Sequence, residues 1–131
     1  MGANPSWIRT FALDGRWPLL VDKLMVFRKT WEYLFWLRPA IAGFTKTHKY
    51  SLGVEMQANA MQLIRLIISA NYAEDKGDLI ESALVENEVQ RVYLRLAFEY
   101  KQISRRRFEF STAKLDEIGH LLRGWSRQQN R

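Results

Sequence analysis

Cysteine is absent from this 131-residue chain. Disulfides, thiolate metal sites and a thiol nucleophile are thereby excluded. Proline occurs only at Pro5, Pro18 and Pro39, so helices meet few breakers. No apolar run approaches the roughly 18 residues that a membrane helix needs. Between Met1 and Leu20 the apolar residues are interrupted by Arg9, Asp14, Arg16 and Pro18. That interruption predicts no secretory signal and a cytoplasmic location. Sustained period-two alternation is missing, so no strand is predicted. There is no glycine-rich phosphate loop of the Walker type, and no Ser-His-Asp set stands out.

What remains is an ordinary globular composition, 47% hydrophobic and 26% charged. The length fits one domain that buries roughly two-thirds of its unfolded surface. Lys and Arg number 20 against 14 Asp and Glu, for a net charge of +6. A surplus of that sign favours a polyanionic partner, either nucleic acid or an acidic protein surface.

Helical spacing recurs along the chain. Leu20, Leu24, Phe27, Trp31, Leu34 and Ile41 define a first stripe, with Pro18 suited to the opening turn and Pro39 to a kink or loose final turn. Thr45 to Lys49 read as a loop, and Ser51 as the N-cap of a second helix carrying Met56, Ala60, Leu63, Ile64, Ile67 and Ala70. Asp78 to Glu81 resemble a capping box that opens a third helix through Val85, Val89, Val92, Leu96, Tyr100 and Ile103. Ser104 to Arg107 read as a connection. The fourth helix carries Phe108, Leu115, Ile118, Leu122 and Trp125. Short loops make neighbouring helices antiparallel, so the predicted fold is all-α, an up-down-up-down four-helix bundle. Residues 1–18 are an N-terminal extension, 19–126 the bundle and 127–131 a polar tail.

The first two helices carry more apolar residues than one core stripe requires. Trp31, Tyr33, Leu34, Phe35, Trp36 and Leu37 nearly surround the first, and Leu63, Ile64, Leu66, Ile67 and Ile68 crowd the second. Clustered outward apolar groups mark contacts with another chain. Trp31, Tyr33, Phe35, Trp36, Leu66 and Ile68 are therefore candidates for a homo-oligomer interface.

Charge is segregated as well. Glu74, Asp75, Asp78, Glu81, Glu86 and Glu88 lead into the third helix, whereas Arg91, Arg95, Lys101, Arg105, Arg106 and Arg107 crowd its end. Acids first and bases last suit the helix macrodipole. One base would suffice for that, so the run of arginines points to phosphate or to an acidic partner. Lys46, His48 and Lys49 form a second, smaller basic cluster. In the extension, Trp7, Arg9, Phe11, Arg16 and Trp17 interleave rings with bases, and packing onto a neighbouring surface is favoured over base stacking. The one enzyme-like spacing is Glu117 to His120, an E-x-x-H pair. A dinuclear carboxylate site needs a second such pair, and His48 has no glutamate three residues before it. No metal, no cofactor and no catalysis are predicted.

From Trp36 to Trp125 the chain resembles small bacterial bundles of the ribosomal-RNA intervening-sequence type. Within that group it is similar to the accessory variability determinants of diversity-generating retroelements. The matching segments are Trp36-Leu37 with Pro39, then His48-Lys49-Tyr50-Ser51-Leu52-Gly53. Arg91-Val92-Tyr93-Leu94-Arg95-Leu96-Ala97, Asp116-Glu117-Ile118-Gly119 and Gly124-Trp125 follow. The resemblance implies a pentameric barrel of bundles, a homopentamer that binds nucleic acid and a reverse transcriptase. It implies a supporting role in error-prone copying of a template RNA into cDNA. Arg91 and Arg95 lie in the helix resembling the family's partner-contacting helix, and Asp116 to Gly119 read as a packing element. The alternative is a structural bundle of the intervening-sequence type with general nucleic-acid or protein binding and no reverse transcriptase partner.

Overall fold

The computed structural model describes residues 21–130. The extension 1–18, with the predicted helix start at Pro18, lies outside the described residues. Among the described residues there are four long helices, one short helix and no strand. They are α1 (Val21–Ala42), the single turn α2 (Lys46–Lys49), α3 (Leu52–Tyr72), α4 (Gly77–Glu99) and α5 (Arg105–Gln129). Helix α1 packs on α3 and α5, and α4 closes the other side against the same two helices.

Paired residues run in opposite order at three seams. Lys29 meets Glu117 and Trp36 meets Phe110 between α1 and α5. Asn59 meets Glu86 and Glu55 meets Tyr93 between α3 and α4. Asn87 meets the Leu115 carbonyl and Phe98 meets Phe108 between α4 and α5.

Helix α3 buries the predicted stripe, from Met56 to Ala70, and α5 buries Leu115, Ile118, Leu122 and Trp125. The other two helices differ from expectation. In α1 the predicted Phe27 and Ile41 are buried, but Val26, Thr30, Tyr33, Leu37 and Ala40 are buried with them, while the predicted Trp31 and Leu34 are only half-buried. In α4 the core face is Ile80, Ala83, Asn87, Gln90, Leu94 and Ala97, while Val85 and Val92 face outward. The reason is a buried polar pairing. The Tyr33 hydroxyl donates to Gln90 Oε1 at 2.6 Å, and Gln90 Nε2 donates to the Met56 carbonyl and to Asn59 Oδ1. Once satisfied, such groups can occupy a core and exclude slipped registers.

Helix α1 continues through Pro39 to Ala42. Its exit tightens into i→i−3 bonds, from Gly43 N to the Ala40 carbonyl and Phe44 N to that of Ile41. Gly53 lets α3 approach α1, since a Cβ there would sit 2.6 Å from Ile41 Cγ2. Ser51 does stand at the α3 N-cap, yet its hydroxyl donates back to the Thr47 carbonyl rather than capping. Helix α4 begins two residues earlier than a cap at Asp78 would allow, with Lys76 at the cap position. Asp78 therefore sits inside the first turn, where its charge suits the dipole.

Candidate functional site

The basic residues gather where two chain connections meet. The Thr45 backbone N–H and hydroxyl both donate to Gln102 Oε1, at 2.8 and 3.2 Å. His48 stacks on Tyr100 with ring centroids 4.9 Å apart. These interactions join the α1–α3 connection to the α4–α5 connection, so Lys46 and Lys49 share one end of the bundle with Lys101, Arg105, Arg106 and Arg107. The two clusters read separately in the sequence are one surface.

Ser104 to Arg107 is not a connection. Ser104 is the N-cap of α5, with its hydroxyl accepting the Arg107 N–H at 3.2 Å, and Arg105, Arg106 and Arg107 form the first helical turn. Three cations at a helix N-terminus oppose the macrodipole, which favours anions there. Helix α4 has the favourable arrangement, with Asp78 in its first turn. Arg105 lies over the Phe98 ring, 5.8 Å from its centroid. None of the three pairs with a described carboxylate.

Lys101 adds a second cost. Helix α4 ends in a Schellman turn, with Lys101 N–H donating to the Phe98 carbonyl and Gln102 N–H to that of Ala97. The residue in the left-handed position of such a turn is usually glycine. Here it is Lys101, at φ 60°, a conformation costing a side-chain-bearing residue roughly 1 kcal/mol.

Arg91 and Arg95 lie along α4, apart from this end. Arg91 binds Asp116 of α5 and Glu88 of its own helix, and its side chain is only 27% exposed. Burial works to lower its pKa, but the Asp116 and Glu88 carboxylates outweigh that and hold it above the usual arginine value. It is a tie between helices. Arg95 is 67% exposed and pairs with Glu99 at 2.6 Å within α4. An exposed pair of this kind contributes little and exchanges readily.

Tyr33 is withdrawn as an interface residue: it is fully buried, bonded to Gln90, with its phenol pushed well above the usual tyrosine value by burial. Trp31, Trp36, Leu66 and Ile68 are half-buried against the core. Phe35 is exposed and stacks on Trp31 at 5.0 Å beside a shallow groove lined by Leu34, Arg38, Pro39 and Ala42. Glu117 faces solvent, bound to Lys29, and His120 is also exposed. Among the described residues no group of His, Asp and Glu could hold a metal ion. No described helix is long and apolar enough to cross a membrane.

Sequence reasoning missed two features. Val85 and Val92, expected in the core, form an exposed apolar stripe on α4 with half-buried Val89 and Leu96. Tyr50 and Tyr100, 68% and 54% exposed, stand among the lysines of the basic end. Their positions just outside helices, each followed or preceded by lysine, are the signal that was available.

The bAvd-like family model matches residues 24–129, and the chain belongs to that family. Its namesake is the accessory variability determinant of diversity-generating retroelements. No curated protein and no solved structure matches the chain.

Proposed function

We propose that this chain is a non-catalytic accessory protein of a diversity-generating retroelement. In this reading the basic end of the bundle binds polyanion, namely template RNA or its cDNA, and supports mutagenic copying by the reverse transcriptase. One observation carries the reading. Arg105, Arg106 and Arg107 occupy a helix N-terminus without carboxylate partners among the described residues, where stability alone would favour acids. Charge kept against local stability is the mark of a functional constraint. Lys101 in the glycine position repeats the pattern. Family membership supports the retroelement context and the absence of bond-making chemistry.

Arg95 stays available to the reverse transcriptase, because its exposed partner Glu99 releases it at little cost. Arg91 serves by positioning, since it holds α4 against α5. The opposed sequence order at three seams supports the up-down-up-down path. Self-association, as a homopentamer by the family resemblance, uses Phe35 with Trp31 and Trp36 on α1, and Leu66 and Ile68 on α3. The exposed valines of α4 add apolar area to that assembly. A cytoplasmic location fits a partner that copies RNA.

Co-expression with the reverse transcriptase of the same retroelement tests the reading. Wild type should co-purify with the enzyme and raise cDNA yield. Arg105→Ala/Arg106→Ala/Arg107→Ala should fold and lose most of that yield. An unchanged yield would leave the intervening-sequence type of structural bundle as the better account.

A further inference from the structure

The basic end carries exposed rings that charge binding does not need. Tyr50 and Tyr100 occupy the C-cap positions of α2 and α4, where their rings lie outside the core. His48 lies face to face with Tyr100, tilted by 24°. Lys46 and Lys49 precede Tyr50, and Lys101 follows Tyr100. Flat π faces beside ammonium groups match a polynucleotide whose bases are unstacked, the rings taking bases and the lysines taking phosphates. A duplex offers its phosphates to the same lysines but keeps its base faces hidden. An acidic protein surface would use the lysines and leave the rings idle.

We propose that His48, Tyr50 and Tyr100 form a stacking platform, so that the basic end takes single-stranded polynucleotide in preference to duplex. This rests on the polyanion reading of the same end and adds to it the form of the ligand. Base stacking on an aromatic is tolerant of sequence, so the platform selects strandedness rather than a motif. It is suited to a template region held open, or to the strand emerging from copying.

The test uses the full chain and fluorescence anisotropy with two probes of equal phosphate number. One is a single-stranded oligothymidine of about 15 nucleotides, within the site sizes of such surfaces. The other is an abasic strand of the same length, which like a duplex offers phosphates to the lysines without exposed base faces. Wild type should prefer the base-bearing strand by about tenfold, the scale of one or two stacked bases. Tyr50→Leu/Tyr100→Leu should reduce that preference to about twofold while leaving the salt dependence unchanged, and Tyr50→Phe/Tyr100→Phe should retain it. Should the double leucine variant fail to fold, Tyr50→Leu alone carries the test, since Tyr50 is 68% exposed. Equal, salt-sensitive binding of both strands by wild type would overturn the platform and leave the polyanion reading standing. Binding to neither strand would overturn both.

Discussion

Arg107→Glu separates stability from function at the proposed site. Arg107 is the third residue of α5, and its N–H is held by the Ser104 hydroxyl. A glutamate there would complete a capping box by reaching back to the Ser104 N–H. Removing a cation from this turn and adding an anion each contribute about 0.3–1 kcal/mol. With the added hydrogen bond, the net gain is about 1–2 kcal/mol. For a domain of this size that raises Tm by about 3–6 °C. The same change moves the basic end by two charge units. Polynucleotide binding should weaken several-fold, and the slope of log affinity against log salt should shrink by roughly 0.7 for each phosphate no longer neutralised. Thermal melts and anisotropy titrations at two salt concentrations read both effects on one sample. A variant that gains stability but binds as well as wild type would show the arginines to be incidental. A variant that loses stability would refute the helix-terminus argument itself.

Tyr33→Phe should cost about 1–3 kcal/mol, because Gln90 Oε1 is left buried without a donor. It should also alter the alkaline limb. The folded-state pKa of Tyr33 is raised by burial, so its stabilisation is complete below the unfolded value near 10 and is lost as pH rises beyond it. Urea melts at about pH 8 and pH 11 should therefore differ less for Tyr33→Phe than for wild type. Gly53→Ala should destabilise by about 1–3 kcal/mol, since its methyl meets Ile41 Cγ2. The same substitution should cost less in an Ile41→Ala background, as a double-mutant cycle would measure. Arg91→Ala should lower stability by about 1 kcal/mol through loss of the Asp116 and Glu88 pairs, discounted for solvent exposure. Its polynucleotide affinity at the basic end should stay within about twofold of wild type, read by anisotropy.

The two helices whose buried stripes are apolar over most of their length, with a buried polar residue only beyond one end (Asn71 in α3, Ser111 in α5), were legible in the sequence. Met56 to Ala70 of α3 and Leu115 to Trp125 of α5 repeat at helical spacing with no polar residue buried between those bounds. Helix α4 misled because Val85 and Val92 of its hydrophobic repeat face outward and Val89 and Leu96 are only half-buried, while Asn87 and Gln90 face in. Apolar periodicity cannot see a buried amide whose partners lie on other helices. Gln90 is explained only by Tyr33, Met56 and Asn59, from two different elements. The widening of the α1 core face to include Tyr33 has the same origin, because its hydroxyl pairs with Gln90. At the basic end, every cation was visible in the sequence, but their union was not. It depends on Thr45 meeting Gln102 and His48 meeting Tyr100 across the bundle end.

Lysine acetylation, read by mass spectrometry with and without bound single-stranded polynucleotide, asks the protein directly where the ligand sits. The account predicts protection of Lys46, Lys49 and Lys101, while Lys29 on the α1 flank and Lys76 at the far end of the bundle react equally in both samples. Protection confined to Lys29 or Lys76, or no protection at Lys46, Lys49 and Lys101 under saturating ligand, would contradict it.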